Sequence, residues 1–291
     1  MIFDLDKFDD KGHYQVLQLP GGEYHPKIDA AWGQPKYFDG SEAPLGQKWL
    51  AYIRCRLTKP EEVIKLITVT DAIKRRNDYR EIHLITGYFP GGRQDRFRDG
   101  EAFTCKVYTD LINAQNYTSV SILDPHSDVT TALLNKVEVI PIEDHLKKIV
   151  EKYKYDTILI PDAGAAKKTF SYYFPDVEYN KNLNFVQCLK KRDTKTGKLS
   201  GFKVDGLYGK KYLIVDDIID GGGTFIGLLK EIQQMPVRGK DEVGLFGTHG
   251  IFSKGTLPLL YDENGNKLFD KLFTTNSIRE ETEGVTTIKV I

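Results

Sequence analysis

The chain has 291 residues, 40% of them hydrophobic and 28% charged, which is enough apolar content for a sizeable core and a length that suits about two domains of ~150 residues. Lys plus Arg equals Asp plus Glu at 41 each, which excludes an overall basic field for collecting nucleic acid and leaves anion binding to local groups. The three cysteines, Cys55, Cys105 and Cys188, are scattered and lack metal-type spacing, so a reducing compartment is favoured over a disulfide framework.

The opening "MIFDLDKFDDKGHY" is acidic where a signal peptide is basic, and no apolar run reaches membrane-spanning length. A soluble, cytoplasmic protein with no membrane partner is expected. Further on, helical spacing of apolar residues in "PEEVIKLITVTDAIKRR" predicts a helix, and "EIHLITGYF" reads as a buried strand. The alternation continues with helix-like "AFTCKVYTDLINAQN", strand-like "SVSILDPH", helix-like "HLKKIVEKYK" and the strand-like runs "DTILIPDAG", "NFVQCLKKR" and "KYLIVDDIID". Helix-like "TFIGLLKEIQQM" and strand-like "EVGLFGTHG" follow. Strands alternating with helices predict an α/β fold of mainly parallel sheets covered by helices. Around "NKVEVIPIEDHLKK" one alternating set gives way to a second, which places a boundary near residue 141 and domains at 1–140 and 141–291.

Parallel sheets bind ligands beyond the carboxyl ends of their strands, where "DPH", "PDAG", "KKR", "DDIIDGGGT" and "THG" fall. In "IVDDIIDGGGTF", Asp216 and Asp217 emerge at a strand end, and Gly221, Gly222 and Gly223 turn into a helix near Thr224. Three glycines let backbone N–H groups close on an anion at a helix N-terminus, while the carboxylates accept hydrogen bonds from vicinal hydroxyls. A ribose phosphate satisfies both demands. A glycine turn after an acidic strand end also occurs as plain loop chemistry. No Lys-Ser/Thr pair follows the glycines as a P-loop requires, and the G-x-G-x-x-G spacing is absent.

With these residues in view, "VDDIIDGGGT" resembles the phosphoribosyl-pyrophosphate signature of the phosphoribosyltransferase superfamily, and its context resembles the ribose-phosphate pyrophosphokinase family. In the same order, "GYFPGGRQDR" is similar to the family's ATP-site segment, "SILDPHS" to its Asp-x-His strand end, "LIPDAGAAKK" to its Pro-Asp-x-Gly turn, and "GTHGIFSKG" to its Thr-His-x-Ile-Phe-Ser segment. "LPGGEYHPKI" looks like a weakened form of its adenine loop, and the matches span residues 19 to 255. The resemblance implies two tandem phosphoribosyltransferase-like domains, Mg²⁺, ATP as co-substrate, and a homo-oligomer, dimer or larger. The implied reaction moves the β,γ-pyrophosphoryl group of ATP to the anomeric hydroxyl of ribose 5-phosphate, releasing AMP.

The resemblance also implies roles. Glu23, Arg93, Gln94, Asp95 and Arg96 would hold ATP, and Asp216, Asp217, Asp220, Gly221, Gly222, Gly223 and Thr224 the acceptor. Lys190 and Arg192 keep the family's Lys-x-Arg spacing and are expected on a mobile loop, stabilising the transferring group; an alternative alignment uses Lys191. A Lys-Lys-Arg run also occurs as a solvated strand end. His126 would act catalytically, ligating the catalytic Mg²⁺ or contacting the ATP phosphates, and Asp162 would hold a second metal; a lone histidine is more often structural, and an aspartate after Pro161 also serves to turn the chain.

The sequence departs from the family pattern at Leu19 and Gly21 in the adenine loop, in a shorter segment after Arg96, in ending at Ile291 without the usual closing helix, and at Gly221, which removes a side chain at the 5′-phosphate. That last change motivates a larger acceptor, ADP-ribose, as an alternative that would link the chain to NAD metabolism. A phosphoribosyltransferase or a non-catalytic regulatory homologue are alternatives of other classes.

Overall fold

Pro60 presets the first turn of α1 (Pro60–Arg76), with Glu61 and Glu62 at the positive end of its dipole and Lys74, Arg75 and Arg76 at the negative end. Val63, Leu66, Val69, Thr70 and Ile73 form its buried stripe. The computed structural model describes residues 1–7, 12–29, 49–76, 79–192, 199–204, 206–207, 211–235 and 242–291; the side chains of residues 190–192, 199 and 200 lie outside this set. The chain divides into two compact units, Met1–Ile140 with Ile291, and Pro141–Val290.

Among the described residues, the first unit holds a five-stranded sheet in the order β1 (Ile2–Asp4), β4 (Trp49–Cys55), β5 (Tyr79–Thr86), β6 (Ser119–Leu123), β7 (Val137–Ile140), parallel throughout. A separate antiparallel hairpin pairs β2 (Tyr14–Gln18) with β3 (Tyr24–Ile28). The helices α2 (Thr104–Asn113) and α3 (Asp128–Leu133) follow β5 and β6. Ile53, Leu84 and Ile122 from the sheet and Leu66 from α1 meet in a core from which water is excluded.

The second unit begins with α4 (Glu143–Tyr153), β8 (Thr157–Ile160) and α5 (Ala163–Lys168), which runs into a π-helical turn at Thr169–Tyr173. After α6 (Val177–Asn180) come β9 (Asn184–Arg192), β10 (Leu199–Val204), β11 (Lys211–Ile219), α7 (Gly223–Gln233), β12 (Glu242–Gly250), α8 (Leu257–Leu260), β13 (Lys271–Thr275) and β14 (Thr286–Ile288). Among the described residues its sheet has seven strands in the order β10-β9-β8-β11-β12-β13-β14. All neighbours are parallel except β10, which returns antiparallel on β9 at one edge. Strand β11 lies between two neighbours, and Tyr212, Leu213, Ile214 and Val215 are all buried, so it reads as a continuous apolar run instead of an alternating one.

One expectation is corrected here. Lys190, Lys191 and Arg192 lie in β9, where their backbones pair with Phe202, Gly201 and Leu199 of β10, and not on a loop. The antiparallel return of β10 supplies partners that prolong the strand past its parallel pairing with β8, which ends at Gln187. No described helix is long and apolar enough to cross a membrane.

Candidate functional site

In the second unit the carboxyl ends of β8, β11 and β12 come side by side. Ile214 pairs with Leu159 on one flank and Asp216 with Gly247 on the other. Asp162 follows β8 as the N-cap of α5, its Oδ1 accepting from Ala165 N at 2.9 Å. The chain-turning role of this aspartate is therefore real. Asp217 is buried, and its Oδ2 accepts from Lys168 Nζ at 3.0 Å, an ion pair that is nearly enclosed on both sides. Asp216 accepts through Oδ1 from the Asp217 backbone N–H at 2.9 Å. Burial first, then the neighbouring charges of Asp217 and Asp162, push its carboxyl well above the usual carboxylate range. Lys168 thus answers the charge of Asp217, while Asp162 and Asp217 both act through their charge on Asp216.

The loop beyond β11 separates the glycines by cause. Gly222 caps α7 with φ of +77°, and a Cβ there would lie 2.5 Å from Leu259 Cδ2, so backbone and packing both demand glycine. A Cβ on Gly223 would meet nothing within 4 Å, and one on Gly221 would meet only the Lys254 stem, at ordinary contact distance. At these two positions the protein itself does not require glycine. No side chain caps the N-terminus of α7 and no acid stands in its first turn, so its leading N–H groups face an open approach with Thr224 beside them.

In the first unit, Gly92 N donates to Phe89 O at 3.3 Å and Gln94 N to Gly91 O at 2.8 Å, which folds "FPGGRQ" into a tight turn after β5. Gln94 O in turn accepts from Cys105 N at 3.2 Å near the start of α2. A Cβ on Gly92 would stand 3.7 Å from both His126 Cβ and Thr130 Oγ1, so the turn carrying Arg93, Gln94, Asp95 and Arg96 lies against the end of β6. Arg93, Gln94, Arg96 and His126 are exposed, and Asp124, two residues before His126, holds a left-handed backbone at φ of 40° while buried. Glu23 sits at the tip of the β2–β3 hairpin, where Leu19 N donates to Glu23 O at 2.8 Å, apart from the strand ends of the main sheet.

Among the described residues no group of three or more His, Cys, Asp and Glu gathers as a metal site. Lys168, within "LIPDAGAAKK", carries no signal of its own in the sequence; its pairing with Asp217 joins positions 49 residues apart. The side chains of Lys190 and Arg192 lie outside the described part.

Two mainly parallel sheets covered by helices, the second with an acidic pair and a glycine turn into a helix at its strand ends, give an α/β protein of two domains with a phosphoribosyltransferase-like fold. A crystal structure of phosphoribosylpyrophosphate synthetase from Mycobacterium smegmatis superposes with a TM-score of 0.69 at 18% identity, covering 94% of this chain and 85% of that one, a likeness of fold. Curated ribose-phosphate pyrophosphokinases are also similar in sequence. That of Pyrococcus furiosus is 27% identical over 226 residues, 76% of this chain and 75% of the relative. That of Mycoplasma pneumoniae is 30% identical over 228 residues, 75% of this chain and 65% of the relative. No family model matches. Over about three quarters of its length the chain is thus similar in sequence to curated ribose-phosphate pyrophosphokinases, from which it has diverged widely.

Proposed function

We propose that the chain is a pyrophosphoryl transferase that carries the β,γ-pyrophosphoryl group of ATP to the anomeric hydroxyl of ribose 5-phosphate, giving phosphoribosyl pyrophosphate and AMP. The observation that carries this reading is the loop of Gly221 to Gly223, two of whose glycines answer no demand of the fold, set beside the acidic cluster of Asp162, Asp216 and Asp217. The first unit is the ATP side and the second the acceptor side. On the acceptor side, the N–H groups of Gly222 and Gly223 and the Thr224 hydroxyl hold the 5′-phosphate, while Asp216, Asp217 and Asp220 accept from the ribose hydroxyls. On the donor side, Arg93 and Arg96 offer forked donors to the triphosphate beside the closely approached backbone of Gly92, with Gln94, Asp95 and Glu23 completing the ATP contacts.

The anomeric oxygen attacks the β-phosphorus as the bond to the α-phosphate oxygen breaks, and AMP leaves with that oxygen. Catalysis of an in-line displacement is mostly positioning and charge neutralisation. Lys190 and Arg192 supply the latter. Mg²⁺, which the family resemblance implies, keeps several waters and takes phosphate oxygens as ligands. His126 would hold one Mg²⁺ on the donor side and Asp162 a second metal on the acceptor side; each would neutralise phosphate charge. Self-association into a dimer or larger oligomer belongs to the same reading and rests on the family resemblance.

Product analysis tests the reading. ATP should become AMP, not ADP, and only when ribose 5-phosphate and Mg²⁺ are both present. ADP, or AMP formed without an acceptor, would reject pyrophosphoryl transfer. The comparisons give no support to the larger acceptor, ADP-ribose, which enters only as a second arm of this assay.

A further inference from the structure

The turn after β12 brings a further cation to the glycine loop. Ile219 O accepts from Ile251 N at 2.8 Å and from Phe252 N at 3.2 Å, which ties this turn to the end of β11. Phe252 adopts a left-handed backbone at φ of 48° with its ring buried in the core, and Gly255 N closes the turn on Phe252 O at 2.9 Å. Lys254 is thereby laid across the loop. Its Cγ, Cδ and Cε lie 3.9, 3.6 and 3.5 Å from the point where Gly221 would carry a Cβ. The ammonium is one C–N bond, about 1.5 Å, beyond Cε, and so comes within about 5 Å of that point. Lys254 is exposed, and among the described residues it has no carboxylate partner.

We propose that Lys254 binds the 5′-phosphate of the acceptor, its stem lying in the lane that Gly221 leaves clear and its ammonium supplying the charge that three glycines cannot. This rests on the reading of the loop as the acceptor's phosphate site. A phosphate monoester carries close to two negative charges at neutral pH, whereas a helix N-terminus offers only about half a positive charge. Backbone donors alone leave most of that charge uncompensated. A single ammonium on a four-carbon stem settles the balance, and its flexibility lets it follow the phosphate without a fixed fork. The absence of a side chain at 221 is then part of the phosphate site: a branched residue there would occupy the lane of the lysine.

Two variants and their combination test this. Lys254→Met keeps the stem and removes the charge. It should raise the Kd of ribose 5-phosphate, measured by calorimetry, and its KM by about ten- to a hundredfold, while ATP KM and kcat stay within about twofold. Lys254→Arg should restore most of the acceptor affinity. Gly221→Thr should give a similar loss by displacing the lysine, so that the double variant Gly221→Thr/Lys254→Met is no worse than the weaker single one. Additive losses would mean that the two positions act separately and would overturn the proposal. An unchanged acceptor Kd in Lys254→Met, with AMP formation intact, removes Lys254 from the site and leaves the pyrophosphokinase reading standing. Acceptor binding that weakens in Lys254→Met while the parent forms no AMP upholds Lys254 and rejects that reading instead.

Discussion

Lys168 is the residue on which the acidic cluster depends. It is the cation paired with Asp217, and removing it would leave a buried carboxylate beside Asp216 without its countercharge. Losing one partner of a buried pair typically costs about 3–5 kcal/mol, so Lys168→Met should lower the urea midpoint markedly, with a destabilisation of about 3 kcal/mol. A loss under about 0.5 kcal/mol would mean that the pair behaves as a solvated surface contact. The glycines offer a second contrast. Gly222→Ala combines a left-handed backbone with a Cβ 2.5 Å from Leu259 Cδ2 and should destabilise by about 2 kcal/mol or more. Gly223→Ala adds its Cβ in open space at a helix start and should leave stability unchanged within about 0.5 kcal/mol, while acceptor KM rises if the loop encloses a phosphate. At this scale the sequence exposed the acids and glycines, because runs such as "DDIIDGGGT" are unusual in a strand. It could not expose Lys168, since a lysine after "PDAGA" looks like any helical surface cation until β8 and β11 are set side by side.

At the scale of elements, β11 delivers Asp216, half-buried, to the end of a sheet beside Asp217, and this has a measurable cost. A carboxyl whose folded pKa is raised contributes stability that is present below the unfolded pKa and is lost as pH rises through the folded one. The protein should therefore be less stable at pH 7 than its Asp216→Asn variant, and the two melting temperatures should converge as pH falls towards about 4, where the unfolded carboxylate also binds its proton. Each kcal/mol recovered corresponds to about 2–4 °C in Tm for a domain of this size. Equal melting curves across the range would sink the argument. A variant that is stabler yet binds acceptor poorly is the expected mark of a functional acid. Long periodic elements were legible: α1 spans the whole of "PEEVIKLITVTDAIKRR", and β9, β11 and β12 occupy the apolar runs. Strands β1, β7 and β14 have only three or four residues each, too few for any periodicity to show. β2 and β3 mix polar and apolar residues because β2 buries only Tyr14 and β3 alternates half-buried with exposed positions. β10 escaped because its antiparallel return depends on a partner already formed.

Across the whole molecule, the thiols report on how closely the two cores are packed. Cys55 and Cys188 are almost inaccessible, burial raises all three thiols, and that of Cys188 is pushed up to about 12. At pH 8 a thiol of that kind is ionised to about one part in ten thousand, and only the thiolate attacks a disulfide reagent. Native protein should react with such a reagent far more slowly than urea-unfolded protein, in which all three cysteines should titrate promptly. Fast native labelling of Cys188 would show that β9 opens readily. The alternation of strands and helices revealed the α/β architecture, because parallel strands need crossovers and several of the crossovers here carry helices. Which strand neighbours which was not legible: the order β9-β8-β11-β12 is set by long-range packing that no local pattern encodes.

Strand β13 is buried along Leu272 to Thr275, and on its outer side it is covered by β14, whose three residues pair with Phe273, Thr274 and Thr275. So short a strand is itself a poor template for further pairing, whereas the one beneath it is apolar and regular. Clipping the chain before Thr286 would leave the second unit's other strands in place but uncover that template. The nicked protein should then accumulate as sheet-paired aggregates under conditions in which the intact protein stays dispersed, so preparations exposed to proteases would lose material by precipitation before they lose any catalytic group.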